Sequence, residues 1–369
     1  MYQINPVDNF FFRSAVPFET AGESTLIKSQ FPPYPTTYGG ALKKFAVKKR
    51  IRIGFNGLAL DDKFIFPKPL DLITFKLEND ITCCRGMALE KTPLSSFPLS
   101  HYLCDQSQED GKTKEVNDLY LYEEELKAYL KGNVSDFKCL SLSNHLVYEP
   151  KIGIAVDHKS KTVKEEHLYE LQMVRPQQDS NLKLVADVKH INLIEDTIIK
   201  LGGESKMATI RSLDCDLTIN PFVEAPFFKL YLATPALFKQ GWLPAWINPD
   251  TKIGRFSFKN KSVKVKLISA AVGKKIAIGG FSESDTNQSS RPSAMSYGVP
   301  AGSVYYFKLL EGNIQDVIKL FHQQCISDYR AGSGFERLTP MYDRLKYCDR
   351  GFGYTLVGAL TKNQEEMLK

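Results

Sequence analysis

The sequence predicts an α+β fold in which strand-helix-strand units recur in two halves. Three observations predict it: short runs that alternate apolar and polar residues, segments with apolar residues three and four apart, and Gly, Pro, Asn and Asp clusters that punctuate both. With 369 residues, 43% of them hydrophobic and 24% charged, the chain has a globular composition and length for two domains or one large one.

In chain order, NFFFR (Asn9 to Arg13) reads as part of an opening strand. SQFPPYPTTYGGALKK, residues 29 to 44, then approaches a helix. Pro32, Pro33 and Pro35 hold their φ near the polyproline value, and Thr36 or Thr37 is placed to cap the helix. Gly39-Gly40 lets another backbone come close where a Cβ would collide. In the helix that follows, Leu42, Phe45 and Ala46 share one face, and Lys44 and Lys48 are i,i+4 neighbours on the other. Such a helix start favours an anion.

A composition shift marks an insertion over residues 78–146: Cys104 to Asp118 is polar, and Glu123 to Leu130 is helical in pattern. Ile152, Ile154 and Val156 alternate as on a half-buried strand, HKSK (residues 158–161) turns, and Leu168, Leu171 and Met173 follow on a second run. Leu182 to Val188 reads as a strand. Leu193, Ile194, Ile198 and Leu201 define a helical face that ends at Gly202-Gly203, before a strand from Lys206 to Arg211. Phe227 to Ala233, Val263 to Val272 and Ser303 to Leu309 are further strands, and Ile314 to Ile326 is a late amphipathic helix. The expected boundary falls near residue 190, giving halves 1–190 and 191–369.

The net charge of +6 is unevenly spread. Between Ser24 and Leu60 the chain has seven lysines and arginines and no acid, and between Thr251 and Ser282 it has eight and no acid, so the remainder is net acidic. Two acid-free basic tracts in an otherwise acidic chain are the footprint of a polyanion partner. Seven cysteines, with no Cys-x-x-Cys spacing, indicate reduced thiols rather than a disulfide framework or zinc ribbon. No apolar run approaches a bilayer span and the start is unlike a signal peptide, so no membrane contact and a cytoplasmic location are expected. No metal-ligand spacing or nucleotide P-loop occurs, and no cofactor is expected.

FPPYPTTYGGALK (Phe31 to Lys43) resembles the first-helix motif of the CRISPR RAMP superfamily, specifically the type III-B Cmr subunits that cap the 5′ end of the guide RNA. NFFFR with Pro17-Phe18, the stretch Lys151 to Arg175, LGGES (Leu201 to Ser205), LYLATPALFKQGWLP (Leu230 to Pro244), IGGF (Ile278 to Phe281), VPAGSVYYF (Val299 to Phe307) and GFGYTLVG (Gly351 to Gly358) resemble later family segments in the same order. The resemblance implies two ferredoxin-like, RRM-related domains side by side, the first holding the insertion and the second the glycine-rich loops. It also implies a non-catalytic subunit that binds the crRNA 5′ handle and docks the large polymerase/cyclase-like subunit and the backbone subunit. Lys43 stands where the family pattern has Arg, and Phe281-Ser282 where it has Trp-Asp.

On that reading the RNA-binding candidates are the helix start with Thr36, Thr37, Gly39, Gly40, Lys43, Lys44 and Lys48, and the glycine-rich loops at Gly279-Gly280 and Gly351/Gly353. Gly203 with Lys206 and Arg211 fits the same pairing of open backbone with charge, or else a simple helix end. Arg13 and Arg175 either grip phosphates or form ordinary ion pairs. Phe31 and Tyr38 either stack on bases or belong to the core. Arg350 to Tyr354 matches the first five positions of the RRM octapeptide, but Thr355 and Val357 break the match. The alternative class is a metal-independent repeat-RNA endoribonuclease of related fold, with His145 or His167 as general base.

Overall fold

In the computed structural model, the described residues are 1–13, 25–47, 51–76, 82–92, 98–106, 118–133, 135–156, 163–194, 196–215, 217–221, 223–224, 226–279, 281–282, 291–292, 295–328 and 347–369. The protein is strand-rich α+β, built around two antiparallel sheets. Four strands form the centre of the first: β1 (Tyr2–Pro6), β2 (Arg52–Leu60), β3 (Leu182–Lys189) and β4 (Met207–Ser212), in the spatial order β2-β3-β1-β4. Lys63–Pro67, Leu119–Tyr122 and Leu140–Ser141 extend it beyond β2, and Thr197–Lys200 forms the edge beyond β4. The second sheet repeats the plan with β5 (Phe227–Leu232), β6 (Lys261–Ala271), β7 (Val304–Glu311) and β8 (Tyr354–Gly358) in the order β6-β7-β5-β8.

Each sheet buries both faces, which sets the layering. Helix α1 (Pro35–Leu42) covers one face of the first sheet, where Tyr38 and Leu42 pack with Ile4, Leu58, Leu184 and Ile210. The other face meets the second sheet in a shared core of Phe55, Phe66, Val185, Tyr231, Ile268, Tyr306 and Leu356. Helix α2 (Glu123–Leu130) adds Leu126, Tyr129 and Leu130 to that core. Helix α3 (Ile314–Phe321) covers the far face of the second sheet with Val317, Leu320 and Phe321. A short helix α4 (Lys362–Glu366) follows β8. Every residue of β5 is buried because it is sandwiched on both sides, and burying each of its large side chains contributes about 1.5–3 kcal/mol.

Several expectations are corrected. Leu193 to Leu201 does not form a helix; Thr197–Lys200 is an edge strand, because β-branched Thr197, Ile198 and Ile199 pair in register with Ile210, Thr209 and Ala208 of β4. The first sheet therefore draws strands from beyond residue 190, with Tyr2 opposite Ser212. NFFFR is not the opening strand, which is β1; Phe10 and Arg13 make only isolated bridges, to Val174 and Ser29. The late helix stops at Phe321, where His322 leaves helical geometry. Residues 119–130 of the expected insertion contribute a strand and α2 to the main sheet and core.

Candidate nucleic-acid interface

Pro35 occupies the first helical position of α1, where its fixed φ is pre-set and its missing N–H costs nothing. The helix thus begins before the threonines. Tyr34 is the N-cap residue and its side chain makes no capping bond, so Thr36 and Thr37 lie in the first turn rather than at the cap. Gly39 and Gly40 lie inside the helix, not ahead of it. The helix ends at Leu42 and tightens into a 3₁₀ turn over Lys43–Phe45, so Lys44 does not continue along one helical face. Lys48 lies outside the described residues.

The four α-helices among the described residues treat their N-termini differently. In α2 the first turn carries Glu123, Glu124 and Glu125. At α3 the Asn313 side chain accepts from the Asp316 amide, and Asp316 is itself an acid in the first turn. At α4 Thr361 and Gln364 form a capping box. Only α1 has neither a capping side chain nor an acid. Lys43 and Lys44 are exposed at its other end, with Lys44 Nζ 4.9 Å from the Phe45 ring centroid.

The two glycines of α1 differ. A Cβ on Gly39 would lie 3.7 Å from Ile53 Cδ1, an ordinary contact. A Cβ on exposed Gly40 would meet nothing within 4 Å. Glycine there costs about 1 kcal/mol of helix stability relative to alanine, and no contact among the described residues requires it.

Three of the sequence motifs meet near this helix. Ile53, beneath Gly39, bridges Arg350 in parallel. Buried Phe352 packs with Leu237 and Ile278, and Tyr34, Ile276 and Tyr347 lie against them. The start of α1, the loop at Arg350–Gly353 and the strand Ile276–Ile278 thus share one apolar cluster. That strand pairs with Ser296–Gly298, placing Ala277 opposite Tyr297. Lys274 and Lys275 are exposed just before it, with Lys275 Nζ 4.3 Å from the centroid of the Tyr297 ring. Tyr297 is 56% exposed and was not among the sequence candidates; an aromatic flanking a basic tract was the available signal. Gly279 follows the strand directly, and Gly280 lies outside the described residues.

The other candidates are occupied by the protein itself. Gly351 and Gly353 have φ of +89° and +72°, and both are buried. A Cβ on Gly351 would collide with Asn56 Nδ2, and one on Gly353 would come within 2.8 Å of Ser327 Oγ. The Gly351 carbonyl accepts from Thr234 Oγ1 (2.7 Å) and Asn56 Nδ2 (3.2 Å). Protein, rather than open solvent, therefore fills the space that these glycines leave. Gly203 sits in the turn before β4, where a Cβ would lie 2.9 Å from Phe11 Cδ1, so the helix-end reading of Gly202-Gly203 is replaced by a hairpin turn. Lys206 pairs with Asp8 (2.6 Å), Arg211 with Asp196, and Arg175 with Glu149 (2.6 Å). Arg175 and Asn9 donate to the Glu149 carboxylate and hold it below the usual carboxylate range. Phe31 packs with Phe10 and Phe12 at centroid distances of 6.5 and 6.4 Å, and Tyr38 is core. The second basic tract divides: Lys261 pairs with Asp316, and Arg255 and Lys264 share Glu311, whereas no carboxylate among the described residues pairs with Lys274 or Lys275. His145 Nδ1 lies 3.2 Å from Ser180 Oγ, and the His167 side chain lies outside what is described.

No group of three or more potential metal ligands occurs among the described residues, and none of their helices is long and apolar enough to cross a membrane. Two packed sheets and an uncapped helix with two exposed lysines just past its far end define the class: a strand-built α+β scaffold. The chain belongs to the family of CRISPR-associated proteins described as Cas_Cmr3, whose model matches residues 2–54 and 58–356. It is 27% identical over 216 residues to the CRISPR system CMR subunit Cmr3 of Saccharolobus solfataricus, which covers 56% of this chain and 61% of that one. Its fold is similar to a chain in the cryo-EM structure of the type III-B Cmr-β complex bound to cognate target RNA, with a TM-score of 0.52, 17% identity, and 98% and 99% of the two chains covered. A chain in the same kind of complex bound to target RNA and AMPPnP gives a TM-score of 0.47 at 17% identity, with 83% and 85% covered.

Proposed function

We propose that this chain is a non-catalytic, RNA-binding subunit of a type III-B CRISPR effector complex that holds the 5′ repeat-derived handle of the crRNA. It docks the large polymerase/cyclase-like subunit and the backbone subunit, in the cytoplasm. Family membership and the Cmr-subunit description of the curated relative support the assembly. The observation that carries the RNA site is Gly40, a helix-interior glycine whose missing Cβ leaves open space beside Lys43 and Lys44. A sugar-phosphate strand lying across this helix face uses the absent side chain for close approach and the two lysines for charge.

The sheet orders β2-β3-β1-β4 and β6-β7-β5-β8 are what two ferredoxin-like halves would give, α1 serving as a crossover helix in the first and α3 in the second. The non-catalytic reading fits the engagement of His145 with Ser180. The test is reconstitution with labelled handle RNA over a salt series. Replacing Lys43 and Lys44 together by Ala is expected to lower the slope of log affinity against log salt by about 1.4, from about 0.7 per single-strand phosphate contact. An unchanged slope refutes the site. Specific cutting of repeat RNA in EDTA, lost in His145→Ala, refutes the non-catalytic role.

A further inference from the structure

We propose that Cys84 and Cys139 form a reversible disulfide that staples residues 84–139 when the protein meets an oxidised low-molecular-weight disulfide. The inference does not depend on the RNA-binding reading.

The geometry comes from a small three-stranded sheet, in which Phe137–Lys138 pairs antiparallel with Thr82–Gly86. Phe137 lies opposite Cys84 and Lys138 opposite Cys83, and the Cys139 amide donates to the Thr82 carbonyl at 3.0 Å. Cys139 is two residues past Phe137, so it falls diagonally from Cys84 on the same face of the pair. The two Sγ atoms are 3.0 Å apart, about one ångström longer than a disulfide bond. Cys83, the adjacent residue, points to the opposite face and does not compete. Cys84 is fully buried and Cys139 partly exposed, so a reagent reaches Cys139 first. A hydrogen bond with Cys84 and the nearby Lys68 ammonium hold the Cys139 thiol below its usual value, which favours it as the attacking thiolate.

The exchange balances as follows. The Cys139 thiolate attacks one sulfur of the small disulfide RSSR, forming a mixed disulfide and expelling one RS⁻. Cys84 gives up its proton and attacks the Cys139 sulfur, forming the Cys84–Cys139 bond and expelling the second RS⁻. The two thiolates take up the two protons that the protein has lost. The protein is oxidised by two electrons and RSSR is reduced by two. The closed ring contains α2, whose Leu130 lies against Gly358 at the end of β8 and accepts from the Ala359 amide at 2.8 Å.

The native full chain is equilibrated in glutathione buffers of graded oxidised-to-reduced ratio, quenched with acid, alkylated, digested and read by mass spectrometry. The expected result is a linked pair of peptides carrying Cys84 and Cys139, reversed by reduced glutathione and absent in Cys139→Ser. The melting temperature is expected to rise by about 5 °C for a ring of this length in a chain of this size. If exposed Cys215 becomes glutathionylated while Cys84 and Cys139 stay reduced, the proposal is overturned. A link that forms only in urea, or a Cys83–Cys139 link of equal yield, overturns it too.

Discussion

Gly40→Ala separates folding from binding, because the two effects have opposite signs. Position 40 lies within the helix Pro35–Leu42 and its φ is not in the left-handed region. An added methyl group meets no atom of the described residues within 4 Å, so packing against them neither gains nor loses. What remains is backbone entropy and helix propensity, which favour alanine by about 0.5–1 kcal/mol. That corresponds to a two- to fivefold slower local opening of α1, read by hydrogen exchange of its amides in the free chain.

If the handle backbone lies against this spot, the same methyl group holds it off. The expected loss is about tenfold in affinity, or about 1.4 kcal/mol. Fluorescence anisotropy with labelled handle RNA measures it. Gly39→Ala is the control: its methyl points at Ile53 at an ordinary distance, so it slows exchange without weakening binding. Slower exchange in Gly40→Ala with undiminished affinity would refute the placement of RNA on this face.

Three further outcomes are expected. Gly351→Ala forces a φ of +89° on alanine and drives its Cβ into Asn56, so it should destabilise the protein by at least about 2 kcal/mol in denaturant titration, with loss of handle binding only as the fold is lost. Asp71→Ala should cost about 3–5 kcal/mol. Asp71 accepts from Tyr129 (2.8 Å) and Tyr306 (2.5 Å) in the shared core, and its charge offsets the burial that pushes the Lys229 ammonium down to about 8. His322 accepts from the Val357 amide at Nδ1 and donates from Nε2 to the Ile219 carbonyl, and burial holds its pKa below the ordinary value. A depressed histidine contributes stability that is complete above the unfolded pKa of about 6.5 and is lost as pH falls below it. Unfolding midpoints between pH 7.5 and 5 should decline on the acid side, and less so in His322→Gln.

Elements set by local pattern were legible. The strand Leu146–Val156, the apolar run of β5 and the helix at Glu123–Leu130 appear where the sequence places them, although Ile152 is exposed rather than half-buried. Elements settled by distant partners were not. Leu193, Ile194, Ile198 and Leu201 fit a helical face, but the pairing of Thr197–Lys200 with β4 overrides that spacing. Gly39-Gly40 reads as lying ahead of the helix, but Pro35 has already set the helix going four residues earlier. Arg175 reads equally as a phosphate ligand or an ion pair, and Lys206 and Arg211 pass as phosphate ligands, because their partners, Glu149, Asp8 and Asp196, lie 26, 198 and 15 residues away in sequence. Nothing in a linear charge count reveals such pairs.

Charge density alone does not choose between the two basic tracts. The second basic tract holds more cations than the first; Arg255 and Lys264 share Glu311 of β7 and Lys261 pairs with Asp316 of α3, while no carboxylate among the described residues pairs with Lys274 or Lys275. What distinguishes α1 is the coincidence of three local absences: no capping side chain, no acid in its first turn and no Cβ at position 40. Each absence alone destabilises a free helix, by about 0.5–1 kcal/mol for the glycine and by similar amounts for a missing cap or first-turn acid. A helix of eight residues has little stability of its own to offset this, and α1 stands because Tyr38 and Leu42 anchor it to the first sheet. The missing side chain at position 40 leaves the outer face of the helix open. On the proposed reading the phosphate backbone lies along α1, whose outer face combines an open glycine position with Lys43 and Lys44.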